Sequence, residues 1–301
     1  MSLSSKRSFL LAPLSLVLGC LGGAAEPLDD DGDTGSEALS AYSDTLVTLR
    51  RDTRRCASPY CGGWHVRDVN RSTGEQYVSA LDFTRSGFDE ATRRDVLDAP
   101  DGDVIVRGRL GPLDVATRTR TLRVAEAWRA LPRVTPREGD VVYRVDRQAF
   151  CVGTPCYSWR ATRVNVGTFA GFNELLASSL GVPVFFDHAW ALDEVLRRGS
   201  LVAGRVQPWP VVPFYTVLDA SQVYLKLPQQ PRCVAHPVPV CPRGMVPAWE
   251  RGLDRCLIPR GCVRPGMCEP VQVECPDGYV ARSWMGTSGC TQTVCDPAFT
   301  R

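Results

Sequence analysis

The chain has 301 residues, 44% of them hydrophobic and 23% charged, with 35 basic and 33 acidic side chains for a formal net charge of +2. This composition excludes a disordered chain. The near balance of charge excludes the strongly basic surface of a nucleic-acid binder, and the length allows about two domains.

Lys6 and Arg7 precede an apolar run from Phe9 to Leu18, broken only by Pro13 and Ser15. The run falls short of the ~20 apolar residues a membrane span needs, so it reads as a signal peptide. Val17-Leu18-Gly19-Cys20 has the form of a bacterial lipobox. Residues 1–20 are therefore predicted to be a signal peptide whose Cys20 is lipidated, anchoring the chain to a membrane. Each buried acyl CH2 would add about 0.8 kcal/mol to that anchoring. Leu21, rather than Asp, after the cysteine favours the outer membrane or cell surface. Cleavage after Ala25 is the alternative and would give a soluble secreted protein. Residues 21–43 include Asp29-Asp30-Asp31-Gly32-Asp33 and are predicted to form a flexible acidic linker. They lack the spaced ligands and closing Glu of an EF-hand.

Without Cys20, twelve cysteines remain: Cys56, Cys61, Cys151, Cys156, Cys233, Cys241, Cys256, Cys262, Cys268, Cys275, Cys290 and Cys295. In an exported chain an even count implies disulfides. The spacings are mostly too long for zinc, so no metal is predicted.

The next region repeats. Cys56-x4-Cys61-x2-Trp64 with Val69-Asn70 recurs as Cys151-x4-Cys156-x2-Trp159 with Val164-Asn165, at an offset of 95. Ile105 to Leu110, containing Gly108-Arg109, recurs as Leu201 to Val206, containing Gly204-Arg205, at 96. Trp128 to Pro132 recurs as Tyr224 to Pro228, also at 96. These blocks predict two homologous halves, 44–132 and 138–228. In the first, strands are expected at Thr45–Leu49, from Trp64, at Tyr77–Phe83, Asp103–Leu110 and Thr121–Trp128, with a helix at Phe88–Leu97. In the second, strands are expected at Asp140–Val145, from Trp159, at Leu201–Val206 and Tyr215–Tyr224, with helices at Phe172–Leu180 and Ala189–Arg198. The mixture, without a β-α-β rhythm, predicts an α+β fold of two mostly antiparallel sheet-plus-helix halves. The Cys-x4-Cys pairs are expected to close their own loops.

Residues 229–301 form a cysteine-rich tail. Cys233, Cys241, Cys256 and Cys262 make one four-cysteine repeat, and Cys268, Cys275, Cys290 and Cys295 another. Each is too small for a stable apolar core, so disulfides must replace it within a small irregular or β structure. Three connectivities per repeat stay open.

No catalytic constellation stands out. His65, His188 and His236 are the only histidines. Asp187-His188 could orient an imidazole, but no nucleophile is identifiable beside it. Asp89-Glu90 and Asp193-Glu194 are read as acids near helix starts, and Arg50-Arg51 with Arg54-Arg55 as a solvated strand end. Trp64 and Trp159 occupy equivalent places. Packing on the core is the simpler account of them, and a paired aromatic platform for carbohydrate the sharper one.

The lipobox, the Cys-x4-Cys-x2-Trp halves with their later Gly-Arg strand, and the Cys-Pro-x-Gly tail together resemble uncharacterised secreted lipoproteins of myxobacteria that carry a domain of unknown function. The resemblance spans about residues 44–228. It departs at Ser72–Tyr77, where those proteins often carry a further cysteine pair and this chain has none. It implies no activity and no functional residue. The sequence therefore points to an exported, envelope-anchored binding or structural module without a cofactor. Its partner would be an extracellular protein or polysaccharide. A protease-inhibitor-like action of the tail is the alternative, and a hydrolase around Asp187-His188 the third reading.

Overall fold

A computed structural model describes residues 44–148, 156–212, 214–229, 233–269 and 272–300. The predicted signal peptide and acidic linker, with Cys20, lie outside the described residues, as does Cys151.

The fold is mostly β, not α+β. Among the described residues, twelve strands join in one large sheet, and two short hairpins follow it. In chain order the first part of the sheet comprises β1 (Thr45–Arg51), β2 (Trp64–Asp68), β3 (Gln76–Val78), β4 (Ala80–Asp82), helix α1 (Glu90–Leu97), β5 (Val104–Leu110) and β6 (Thr121–Ala130). The second comprises β7 (Val141–Arg147), β8 (Trp159–Arg163), β9 (Phe169–Phe172), β10 (Glu174–Leu176), helix α2 (His188–Arg197), β11 (Leu201–Pro208) and β12 (Thr216–Lys226). The strand order β3-β2-β1-β5-β6-β12-β11-β7-β8-β9 reads alike from both ends, and β6 meets β12 at its centre.

Where a helix is expected over 172–180, the chain has the end of β9, strand β10 at Glu174–Leu176 and then a turn, for an identifiable reason. β6 reaches only Tyr224–Lys226 of β12, which leaves the start of β12 with backbone groups to satisfy. β10 satisfies them, pairing in parallel with Val217–Asp219. Phe172 and Leu175 have helical spacing but point into the core from a strand. The run Tyr77–Phe83 likewise splits: β3 pairs with β2, and β4 pairs in parallel with the start of β6.

Both helices carry an aspartate N-cap. Asp89 accepts from the Thr92 amide at 2.7 Å and Asp187 from the Trp190 amide at 3.0 Å. Such caps satisfy an orphan N–H of the first turn. Asp193 and Glu194, read from sequence as helix-start acids, lie inside α2, more than one turn past its first residue. They are buried and pair with Arg197, Arg198 and Gln229.

The repeated glycines have a steric cause. The β5–β6 ladder shifts register between Arg107 and Gly108, and the β11–β12 ladder between Ala203 and Gly204. At these bulges a Cβ on Gly108 would stand 2.6 Å from the Arg123 carbonyl oxygen. One on Gly204 would stand 2.3 Å from that of Asp219. Neither approach is tolerable, so only glycine fits.

One face of the sheet packs under both helices, burying Val96, Trp190, Ala191 and Val195 with Phe172, Leu218 and Leu225. The opposite face holds a smaller cluster, Ile105, Trp128, Leu201 and Tyr224 among it, roofed by Val69 and Val164. The roof is held by two asparagines, both at φ 61°, a conformation asparagine accepts better than most residues. Asn70 donates to the carbonyls of Val142 and Val164 and accepts from the Val142 amide. Asn165 donates to the carbonyls of Leu46 and Val69 and accepts from the Leu46 amide. Each thus completes the strand start of the other segment.

The tail makes two hairpins, β13 (Val246–Arg251) with β14 (Leu257–Val263) and β15 (Tyr279–Met285) with β16 (Thr291–Pro297). Both are cross-linked first-to-third and second-to-fourth: Cys233–Cys256 with Cys241–Cys262, and Cys268–Cys290 with Cys275–Cys295. The second hairpin does not stand apart. Tyr279, Cys295 and Phe299 belong to the main core.

Candidate functional site

The sequence-derived candidates are dispersed. Trp64 on β2 is 7% exposed and packs in the main core, with the Arg51 guanidinium 5.2 Å from its ring centroid. Trp159 on β8 is half-buried against the same core. Six strands separate β2 from β8 in the sheet order, so the two rings are not brought together. Cys56 bonds Cys61, and Cys156 is disulfide-bonded. The basic run before Cys56 is largely engaged. Arg50 pairs with Glu75, and Arg54 with Asp52. The hydrogen-bonded Arg54 holds the Asp52 carboxyl down at about 2. His65 lies edge-on to Tyr77, and His236 is exposed in the tail.

Asp187 and His188 are engaged with different neighbours. One Asp187 oxygen caps α2, and the other faces the Arg251 guanidinium at 3.7 Å. The His188 ring stands edge-on to Phe186 at 5.4 Å. Among the described residues, no group of three or more His, Cys, Asp or Glu side chains could hold a metal ion.

These residues nevertheless sit at one end of a cleft of about 570 Å³ between the start of α2 and the tail. The tail walls it with Trp249, Glu250 and Arg251 of β13, Trp284 of β15, the turn at Gly286–Ser288, and Gln292 of β16. Hairpin alternation accounts for part of this placement: Trp284 pairs directly with Gln292 across the β15–β16 ladder, so the ring and the amide share a face.

The electrostatics centre on Arg251, whose side chain is 6% exposed. Its Nη2 donates to both Asp296 oxygens at 2.7 and 3.0 Å, a charge-assisted contact between two nearly buried groups. Its guanidinium carbon lies 5.6 Å from the Trp284 ring centroid, within cation–π range. Its Nε is buried and makes no hydrogen bond, and it is the atom that faces Asp187 Oδ2 at 3.7 Å. A buried donor left unpaired costs about 1–3 kcal/mol. Asp187 balances the charge of this donor without giving it a hydrogen bond.

The site owes its shape to the docking of the tail. The Cys295 amide donates to the Phe185 carbonyl at 2.9 Å, one residue before Phe186, and Phe186 packs edge-on to Tyr279. Arg255 of the first tail hairpin lies 4.7 Å over the Trp190 ring of α2. Sequence reasoning missed Trp249, Arg251, Trp284 and Gln292. The one available signal was that a tail with so little apolar content carries two tryptophans.

The disulfide content is that of an extracellular or secreted protein. No helix among the described residues is long and apolar enough to cross a membrane. An uncharacterised protein of Dictyostelium discoideum is 24% identical over 255 residues, covering 81% of this chain and 84% of that protein. No solved structure matches the chain. The family described as Domain of unknown function (DUF6748) matches residues 45–230, which takes in the whole large sheet and both helices but not the tail hairpins. The chain therefore belongs to the DUF6748 family.

Proposed function

We propose that this protein is an exported, envelope-anchored binding module that takes a polysaccharide in the cleft between α2 and the tail. Export and anchoring through Cys20 rest on the N-terminal sequence, together with its resemblance to myxobacterial lipoproteins. A duplicated origin for the body accords with the mirrored strand order and the shared element order of its two segments.

The observation that carries the ligand reading is a cleft walled by two tryptophans beside the Gly286–Ser288 turn and Gln292. Sugars present an apolar C–H face and a rim of hydroxyls. The indole faces of Trp249 and Trp284 suit the first. The amide of Gln292 and the hydroxyls of Thr287 and Ser288 suit the second. The mixture of aromatic surface with a few polar groups is that of an orienting binding site.

Affinity electrophoresis of the exported protein through gels containing soluble polysaccharides tests this. One or more polymers should retard the native chain. Trp249→Ala is expected to weaken that retardation at least tenfold, equivalent to about 1.4 kcal/mol, with the unfolding midpoint little changed because Trp249 is only half-buried. Equal retardation of native and variant chains would move the ligand elsewhere, and absence of retardation by every polymer would end the reading.

A second reading has a specific observation behind it. The segment Val234–Val240 is mostly exposed, has no helix or strand, and is flanked by the Cys233–Cys256 and Cys241–Cys262 bridges. A loop held this way loses little entropy when it enters a protease cleft. Stoichiometric inhibition of an extracellular protease, abolished by substitutions at Val238 and Val240, would support it. Proteolysis of the segment without inhibition would reject it.

A further inference from the structure

We infer that the tip of the β11–β12 hairpin is a lipid-contacting knob that enters the interfacial layer of a bilayer. From Pro208 to Tyr215 the sequence is Pro-Trp-Pro-Val-Val-Pro-Phe-Tyr, eight residues with no charge. Val211 is 79% exposed and Phe214 83%, and Trp209 and Val212 are exposed beside them. Such large apolar side chains at a projecting turn gain nothing for the fold.

The corresponding hairpin of the first segment, β5–β6, provides an internal comparison. Its turn also exposes Leu113 and Val115. It carries Asp114, Arg118 and Arg120 as well, with Asp114 accepting from the amides of Ala116 and Thr117. A charged, polar turn is therefore compatible with this place in the sheet, so the architecture does not require the apolar tip of β11–β12.

Three features favour a lipid surface over a protein partner. The first is backbone chemistry. A loop entering lipid must hide its amide donors. Pro208, Pro210 and Pro213 have none, and the amides of Trp209 and Tyr215 are bonded within the turn, to the carbonyls of Tyr215 and Val212, which takes away five of the eight donors that this stretch could have had. The second is composition, because tryptophan and tyrosine prefer the membrane–water interface. Trp209 and Tyr215 flank the base of the tip, Val211, Val212 and Phe214 form its end, and the Tyr215 hydroxyl donates to Glu174 at 3.0 Å. The third is size. A stable protein interface needs roughly 800 Å² from each partner, more than a knob of four side chains supplies, whereas shallow insertion needs no matching surface.

The inference does not depend on the cleft ligand, and its test uses the full chain. Vesicles of phosphatidylcholine brominated in the acyl chains quench tryptophan emission only where an indole enters the lipid. None of the seven tryptophans precedes residue 64, so the N-terminal segment contributes no signal, anchored or not. The native chain should be quenched. Trp209→Phe is expected to reduce that quenching at least threefold, as is Phe214→Asp at equal amounts of vesicle-bound protein. Phe214 is mostly exposed, so its substitution should leave the unfolding midpoint in place, which separates loss of insertion from loss of fold. An unquenched native chain, or undiminished quenching in Trp209→Phe, would overturn the inference.

Discussion

Ending the chain after Gln229 is expected to leave residues 44–229 unable to fold cooperatively, although this span contains nearly all of the family match. The reason is where the second tail hairpin places its side chains. Tyr279, Cys295 and Phe299 are at most 7% exposed and lie in the same cluster as Phe186, Trp190 and Leu225. The Tyr279 hydroxyl donates to the Pro132 carbonyl at 3.0 Å, and burial pushes its phenol well above the ordinary range. The Phe299 ring lies 4.7 Å from the Arg129 guanidinium carbon. Truncating one buried aromatic side chain typically costs about 3–5 kcal/mol. Losing two, with their hydrogen bond, approaches the whole 5–15 kcal/mol by which a domain is stable. Urea unfolding checks this in two forms. The truncated chain should show no cooperative transition. In the full chain Phe299→Ala should lower stability by roughly 3–5 kcal/mol. A truncated chain as stable as the full one would mean that the tail is merely appended.

Replacing Asn70 or Asn165 by Ala is expected to destabilise the protein by roughly 2–4 kcal/mol each. Two effects combine. Each side chain makes three hydrogen bonds to backbone groups of the opposite segment, and leaving such groups unpaired costs about 1–3 kcal/mol. Alanine at φ 61° adds about 1–2 kcal/mol of strain. Glycine separates the two, because it keeps the backbone conformation and loses only the hydrogen bonds. Asn165→Gly should therefore fall between native and Asn165→Ala in denaturant unfolding. Equal effects of Gly and Ala would remove backbone strain from the account, and no effect of either would remove the clasp.

Much of the body could be read from local patterns. Strands expected from Thr45 and Asp140 and helices expected over Phe88–Leu97 and Ala189–Arg198, from side-chain alternation and apolar spacing, are found from Thr45, Val141, Glu90 and His188. The failure at 172–180 shows where local pattern ends. Phe172 and Leu175 fit either period, and the deciding fact is an unsatisfied stretch of β12 more than forty residues away. The class was misjudged as α+β for the same reason. The Val-Asn pairs stood out in the sequence, but their partners lie 72 to 119 residues away, so their task could not be inferred. The cleft was the least legible part. Asp187 and His188 invited a catalytic reading. Arg251, Trp249 and Trp284 reach the cleft only through the hairpin registers and the first-to-third, second-to-fourth bridging, which cysteine spacing leaves open.

Hydrogen exchange of the exported full chain, with and without a polysaccharide that retards it, tests the central claim most directly. Protection should rise around Phe186–Trp190, Trp249–Arg251 and Trp284–Gln292, three segments far apart in sequence that meet only at the seam of body and tail. A bound polymer that protects other segments and leaves these three unchanged would contradict it.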